Sequence, residues 1–420
     1  MTTELKKKLP LLSVVSHTMP GDCNGQAIVL DRLAIAITES GMARWQLINT
    51  RPKWKQTKQP HFDGILVHAS MPYWLRRLKR FRSCHNWLFH KIVQNRAKKI
   101  AAACRQAGST AIIGCTGGDL VDPPASIRAG ELTGLPVFLY YFDDYATQSQ
   151  ATGCGWSRSV LEAIQKETEP ELLRRASGII APNETLAEDL SRRCTTPLCV
   201  VRNAVDLNRF RSPTVGFAGS RIGECSIFHV AYTGSIYSAQ VDSIERLAKA
   251  ISHLQTRGIY AELHLYSPAV EPAIRQQLSN HSVHWHSKAS SEAVARIQSE
   301  AHVLYLPLSF DCAYPELIRT SAPGKFGEYL ASGTPLLIHA PPDSFPVTFA
   351  EKHQCAATCS IPTVDSLSQV LIDLLSKPER QKKISKAATD ISADFCQRLN
   401  AQRLVDFAAF DLMVSKPESS

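Results

Sequence analysis

The stretch Thr320-Ser321-Ala322-Pro323-Gly324-Lys325-Phe326-Gly327-Glu328-Tyr329-Leu330-Ala331-Ser332-Gly333-Thr334-Pro335-Leu336-Leu337-Ile338-His339-Ala340-Pro341-Pro342 is the most constrained run in the chain. Gly324 and Lys325 open a short helical segment, and Glu328 follows one turn on. Ala331-Ser332-Gly333 stops that helix, with Gly333 as its C-terminal cap. Thr334 and Pro335 lead into the apolar Leu336-Leu337-Ile338, which reads as a buried strand. A helix N-terminus offers unpaired N–H groups and a partial positive charge, which suits a phosphate. Lys325 adds a full charge there, and Glu328 is placed to hold a pair of sugar hydroxyls. On spacing alone, an i,i+3 surface ion pair worth a few tenths of a kcal/mol is an equal reading of Lys325 and Glu328.

Three other phosphate or metal motifs are excluded. Walker A requires glycine where Arg319 stands, and both Gly-x-Gly-x-x-Gly and Asp-x-Asp are absent from the chain. These absences leave no metal-clasping or dinucleotide-binding motif in the chain.

A chain of 420 residues suits two domains, and 44% hydrophobic with 20% charged residues describes a globular protein. The longest apolar runs fall short of a membrane span. Lys6-Lys7-Lys8 precede a very short apolar run with no small-residue cleavage site after it, so Leu11–Ser16 reads as a first strand and not as a leader. The 12 cysteines form no Cys-x-x-Cys pair, and neither Cys194/Cys199 nor Cys355/Cys359 has zinc-knuckle spacing. Free cysteines in apolar runs point to a reducing compartment, the cytoplasm.

The net charge of +9 is concentrated. Between Asp63 and Asp119 there is no acidic residue, and the interval holds Arg76, Arg77, Lys79, Arg80, Arg82, Lys91, Arg96, Lys98, Lys99 and Arg105. Trp74, Leu78, Phe81, Leu88 and Ile92 recur among them at near-helical spacing. Nucleic acid would need stacking or reading elements, whereas these aromatics share one apolar face with the leucines. The pattern suits an amphipathic helix lying on an anionic membrane surface, held by Arg76, Arg77, Lys79, Arg80 and Arg82 at roughly 1 kcal/mol each. A solvated face, or apolar residues packed on the protein's own sheet, are the competing readings.

In chain order, strand Leu11–Ser16, loop His17–Asn24 and helix Gly25–Ser40 open a doubly wound fold. Strands follow at Trp45–Asn49, Ile65–His68, Ala111–Ile113 and Pro136–Phe142; the last delivers Asp143 and Asp144 at its carboxyl end, where open α/β sheets bind ligands. Each of these aspartates is either a cleft carboxylate or a cap of the next segment. Strands Gly178–Ala181 and Leu198–Val201 complete the first half, and Ser212–Ser226 reads as a linker. A second series has strands at Phe228–Tyr232, Glu262–Tyr266, Val283–Trp285, Val303–Leu306 and Leu336–His339. The expected architecture is α/β, two doubly wound Rossmann-like domains facing a cleft, residues 1–208 and 209–392, with a final helix over 393–414 returning to the first.

The residues resemble the GT-B glycosyltransferases of the retaining, glycogen-synthase-like group. Pro323-Gly324-Lys325-Phe326-Gly327-Glu328-Tyr329-Leu330-Ala331-Ser332-Gly333-Thr334-Pro335 matches the variant Pro-x-Lys-x-x-Glu-Tyr-Leu-Ala-x-Gly-x-Pro. Val200-Val201-Arg202-Asn203-Ala204-Val205-Asp206 with Phe210 is similar to its apolar-Pro-Asn-Gly-Val-Asp…Phe signature, and Tyr232-Thr233-Gly234-Ser235 to its Tyr-x-Gly turn. The resemblance implies metal-independent, retaining transfer from a nucleotide-sugar to a glycan or lipid-linked acceptor. It implies a donor site of Gly25, Gly234, Ser235, Arg319, Thr320, Ser321, Gly324, Lys325 and Glu328; Lys325 there, and Asp143 and Asp144 by their place at a strand's carboxyl end, are the catalytic candidates. Two departures stand out: Thr320 occupies the position of the group's first glutamate, and Ser235–Gln240 lacks its basic pair. They leave open a catalytically silent sugar- or partner-binding module.

Overall fold

The structure, a computed structural model, describes residues 9–19, 24–51, 82–117, 119–152, 155–210, 227–237, 239–267, 270, 272–278, 283–287 and 289–414. The strand expected at 65–68, the loop residues 20–23, the linker 212–226, and Arg76, Arg77, Lys79 and Arg80 lie outside the described residues, as does the side chain of Arg82. The chain divides into two compact units, Met1–Ala204 with Gln397–Ser420, and Val205–Cys396.

Among the described residues, the first unit is a parallel sheet ordered β2-β1-β3-β4-β5-β6. Its strands are β1 Leu11–Ser16, β2 Arg44–Asn49, β3 Ala111–Cys115, β4 Val137–Tyr140, β5 Gly178–Ala181 and β6 Leu198–Val200. Every residue of β1, β3, β4 and β5 is buried, as expected of strands covered on both faces. Alternate residues feed two separate cores. Ile112, Leu139 and Ile179 pack beneath helices His85–Ala107 and Asp122–Thr133, and Ile113, Phe138 and Ile180 beneath helices Gly25–Glu39 and Gln397–Val414. The last helix approaches the sheet where β5 begins with glycine: a Cβ on Gly178 would lie 2.7 Å from the Phe407 ring. The helix begins at Gln397 and not at 393, because a tight turn, Ser392–Phe395, intervenes.

The basic stretch is corrected from His85 onward. Leu88 and Ile92 do not face lipid; they are buried in the first core, since an apolar helical stripe covers the nearest apolar sheet. Arg96 is internal as well, 4% exposed, and donates to Asp119 at 2.8 Å and Asp122 at 2.7 Å. Trp87 stays on the outer face, half exposed, with the Lys91 ammonium 5.8 Å from its ring centre.

The second unit repeats the plan with a parallel sheet ordered β12-β11-β10-β7-β8-β9. Its strands are β7 Phe228–Thr233, β8 Ala261–Tyr266, β9 Val283–His286, β10 Val303–Pro307, β11 Leu336–His339 and β12 Ala357–Cys359. Val205 donates its N–H to Phe395 at 2.8 Å, and Val205 pairs in parallel with Cys396, so the two ends of this unit lie side by side.

Candidate donor site and the carboxylates of the first unit

In the second sheet the strand order reverses between β7 and β10, and the carboxyl ends there frame the crevice where α/β sheets hold ligands. β7 delivers Gly234 and Ser235 to that point. The helix Lys325–Ala331 brings Lys325 to the same place: Nζ donates to the Tyr232 hydroxyl at 2.9 Å and stands 4.6 Å from the Tyr232 ring centre. Tyr232 in turn donates to the Ser235 carbonyl at 2.6 Å, and burial pushes its hydroxyl well above the usual range, so it stays neutral. Gly234, at φ +138°, leaves the room: a Cβ there would lie 2.6 Å from Lys325 Cε and 2.9 Å from Nζ. Two segments some ninety residues apart thus close on one cation.

Glu328, one turn along, is partly exposed. It accepts from Gln298 Nε2 at 3.2 Å, and the same nitrogen donates to Thr233 Oγ1 at 2.9 Å. Thr233 also donates its N–H to the Tyr329 hydroxyl at 2.8 Å. The carboxylate is therefore tied to the β7 turn through Gln298. No local pattern in the sequence marks Gln298, whose role depends on where its helix, Ser291–Glu300, crosses the sheet. Tyr232 did have a signal, as the first residue of the Tyr-x-Gly turn.

The remaining donor candidates occupy less direct positions. Arg319 ends helix Pro315–Arg319 with its Nε donating to Glu316 at 2.8 Å, and the buried Thr320 donates its hydroxyl to the Glu316 carbonyl at 2.8 Å. Ser321 donates its N–H to Ile318 at 3.3 Å, and Gly324 is the residue from which helix Lys325–Ala331 starts. Gly25 belongs to the first unit, where it starts helix Gly25–Glu39 behind an Asn24 cap that accepts from Ala27 at 2.8 Å.

At the carboxyl edge of the first sheet, the two aspartates have different settings. Asp144 is buried and caps helix Tyr145–Thr152, accepting from the Thr147 N–H at 2.9 Å and hydroxyl at 2.7 Å, and it is paired with Arg193. Asp143 is partly exposed and accepts from Gln148 at 3.3 Å. Gln148 also borders Gly117, as does Gln26 of the first helix, while His17 Nδ1 lies 3.7 Å from Asp119. Burial, and next the Asp144 charge, push Asp143 up to about 7. Its unfolded value is about 3.9. Between those values the folded state holds a proton that the unfolded state has lost, so stability falls as pH rises from about 4 to 7. Asp143→Asn should flatten that decline: melting temperatures of the two proteins should diverge with rising pH, the variant being the more stable at pH 8. A constant gap from pH 5 to 8 would contradict the raised value.

The sequence matches no protein-family model and no curated protein. Solved structures do match. Sucrose-phosphate synthase from Thermosynechococcus elongatus aligns with a TM-score of 0.71 at 15% identity, over 97% of this chain and 100% of that one. The fold is GT-B. A glycosyltransferase from Rickettsia africae ESF-5 aligns at TM-score 0.67 and 11% identity, over 98% of this GT-B chain and 100% of its own. Anabaena HepE, solved in complex with UDP and glucose, aligns at 0.63 and 13%, over 97% and 100%. At these identities the likeness to other GT-B proteins is one of fold.

Proposed function

We propose that this GT-B chain transfers a sugar, with retention, from a nucleotide-sugar to a glycan or lipid-linked acceptor, in surface polysaccharide or glycoconjugate synthesis at the cytoplasmic face of a membrane. The observation that carries the reading is the convergence of Lys325, Gly234 and the Glu328–Gln298–Thr233 chain at the switch point of the second sheet. As the bond to the sugar breaks, negative charge grows on the leaving diphosphate. A fixed ammonium there stabilises the transition state more than the ground state, the requirement for a rate effect. Lys325 supplies that charge without a metal ion, and Glu328 has the geometry to accept from ribose hydroxyls. The test is donor hydrolysis across a panel of nucleotide-sugars in the presence of a chelator, beginning with UDP-glucose because HepE was solved with UDP and glucose. Release of nucleoside diphosphate that survives chelation is the expected result.

Gly234→Ala offers a more local test. The new methyl must displace the Lys325 side chain, and the backbone there favours glycine. Donor turnover, measured well below the melting transition, should drop by about 10-fold or more, and backbone strain of about 1–3 kcal/mol should lower the melting temperature by several degrees. Unchanged turnover would show that the position of Lys325 over Gly234 does not matter.

Thr320 motivates a second reading, a silent sugar-binding module. Where the resembling group has a glutamate, this chain has a buried hydroxyl already committed to Glu316, and Arg319 is held by the same residue's carboxylate. Calorimetry separates the two readings: binding of a nucleoside diphosphate without any donor hydrolysis favours the silent module.

Among the described residues no helix is long and apolar enough to cross a membrane. The membrane-surface reading rests on Arg76, Arg77, Lys79, Arg80 and Arg82. Replacing Arg76 and Arg77 by Gln should weaken co-sedimentation with anionic vesicles and leave neutral vesicles unbound. Equal binding to both vesicle types would remove this part of the reading.

A further inference from the structure

On the second sheet, four of the chain's fourteen histidines share one face with a glutamate, and a fifth adjoins it. Side chains alternate along a strand, so Glu262 and His264 of β8 point the same way, as do His284 and His286 of β9. Parallel register pairs His229 of β7 with Glu262, His264 with His284, and Tyr266 with His286, which puts all of these on that face. His302, just before β10, joins them through its Nδ1, which accepts the His229 N–H at 3.0 Å. β9 is the edge of the sheet, and His229 and His284 are exposed to solvent.

We propose that His229, Glu262 and His264 bind a divalent transition-metal ion of the zinc type. One ligand atom from each lies within 4.8 Å of the others. His264 Nε2 and Glu262 Oε2 are already 3.2 Å apart, near the roughly 3.4 Å edge of a tetrahedron with bonds of about 2.0–2.2 Å. The exposed His229 ring has room to close the rest by a rotamer change. Imidazole and carboxylate together suit zinc, nickel and copper, and not magnesium or calcium, which prefer an all-oxygen shell.

The outer contacts are those of a metal-ligating histidine. His264 Nδ1 lies 3.0 Å from His286 Nε2, so a proton on Nδ1 can be donated to His286 while Nε2 keeps its lone pair for the ion. His286 is itself stacked on Tyr266, ring centres 4.2 Å apart. His284 Nε2 stands 3.6 Å from the same Glu262 oxygen and can serve as a fourth ligand in place of water.

Along the strands, His229 and Glu262 lie level with a point five residues before Gly234, and His264 is in register with Ala231, three before it, so the ion would be bound roughly 10–17 Å from Gly234. The test is calorimetric titration of the full chain with Zn²⁺, Ni²⁺ and Mg²⁺. One site for Zn²⁺ and Ni²⁺ and none for Mg²⁺ is expected. His264→Ala and Glu262→Gln should each lose about 100-fold or more in affinity, and His286→Gln about 10–100-fold. His229→Gln, at an exposed position, gives the same reading if the His264 variant fails to fold. The Co²⁺-loaded protein should lack a thiolate charge-transfer band, which separates this site from one built on the 12 cysteines. No Zn²⁺ binding, a thiolate band, or unchanged affinity in His229→Gln and Glu262→Gln would overturn the proposal.

Discussion

Lys325→Ala should lower kcat about 100-fold or more at saturating donor while leaving the protein folded. Loss of one preorganised donor to a developing anion has that scale, about 2.7 kcal/mol of transition-state stabilisation. The structural cost is smaller. Lys325 contributes one hydrogen bond to Tyr232 and a contact with its ring face, together about 1–2 kcal/mol in a partly exposed setting. The Tyr232 hydroxyl keeps its bond to the Ser235 carbonyl, so no buried group is orphaned by the change. Lys325→Met retains the stem that fills the space over Gly234 and isolates the charge. Comparable kcat in Lys325→Met and wild type, with equal melting temperatures, would take Lys325 out of the transition-state contacts.

Arg96→Met should have the largest effect on stability, about 3–5 kcal/mol, the usual cost of leaving buried charge uncompensated. Arg96 sits between Asp119 and Asp122 beneath helix Asp122–Thr133, and Asp122 is fully buried with Thr50 donating to its other oxygen at 2.7 Å. Against burial, the guanidinium holds Asp119 below the usual carboxylate range. Burial, with Arg96 opposing and the Asp119 charge adding, pushes Asp122 up to about 7. For a unit of this size the melting temperature should fall by roughly 6–20 °C. Adding Asp122→Asn to Arg96→Met should recover part of the loss by removing one stranded charge. Arg96→Lys should recover part of the loss, since both carboxylates accept from one guanidinium nitrogen, Nη1, a pairing a single ammonium can also make. A shift under about 0.5 kcal/mol in Arg96→Met, as for a surface cation, would contradict this assignment.

Arg96 also shows where reading the sequence stops. In a run free of acids it looks like one more solvated cation, because its partners lie 23 and 26 residues further on. Their meeting depends on how two helices cross a sheet. The histidine face was hidden for the same reason: Glu-Leu-His on β8 and His-Trp-His on β9 gain meaning only with the parallel register that aligns them. Elements carried by apolar runs were legible to the residue, as at Gly178–Ala181 and Leu336–His339. Short helices without an apolar stripe were not. Tyr145–Thr152 is polar and starts on the Asp144 cap, and Pro315–Arg319 spans little more than one turn. At the donor site the pattern Pro-x-Lys-x-x-Glu and the Tyr-x-Gly turn were each visible, but the bond joining Lys325 to Tyr232 was not.

The return of helix Gln397–Val414 to the first unit bears on synthesis. Ala401, Leu404 and Ala408 complete a core that otherwise comes from the first two hundred residues. A ribosome must therefore translate the whole of Val205–Cys396 before that core can close, whereas Val205–Cys396 is contiguous and itself supplies every strand described in its sheet. The later-made unit is thus the first able to finish folding, and the earlier one waits with part of an apolar sheet face, the part that Gln397–Val414 covers, still exposed. During that interval the nascent chain is most exposed to aggregation and most dependent on chaperones.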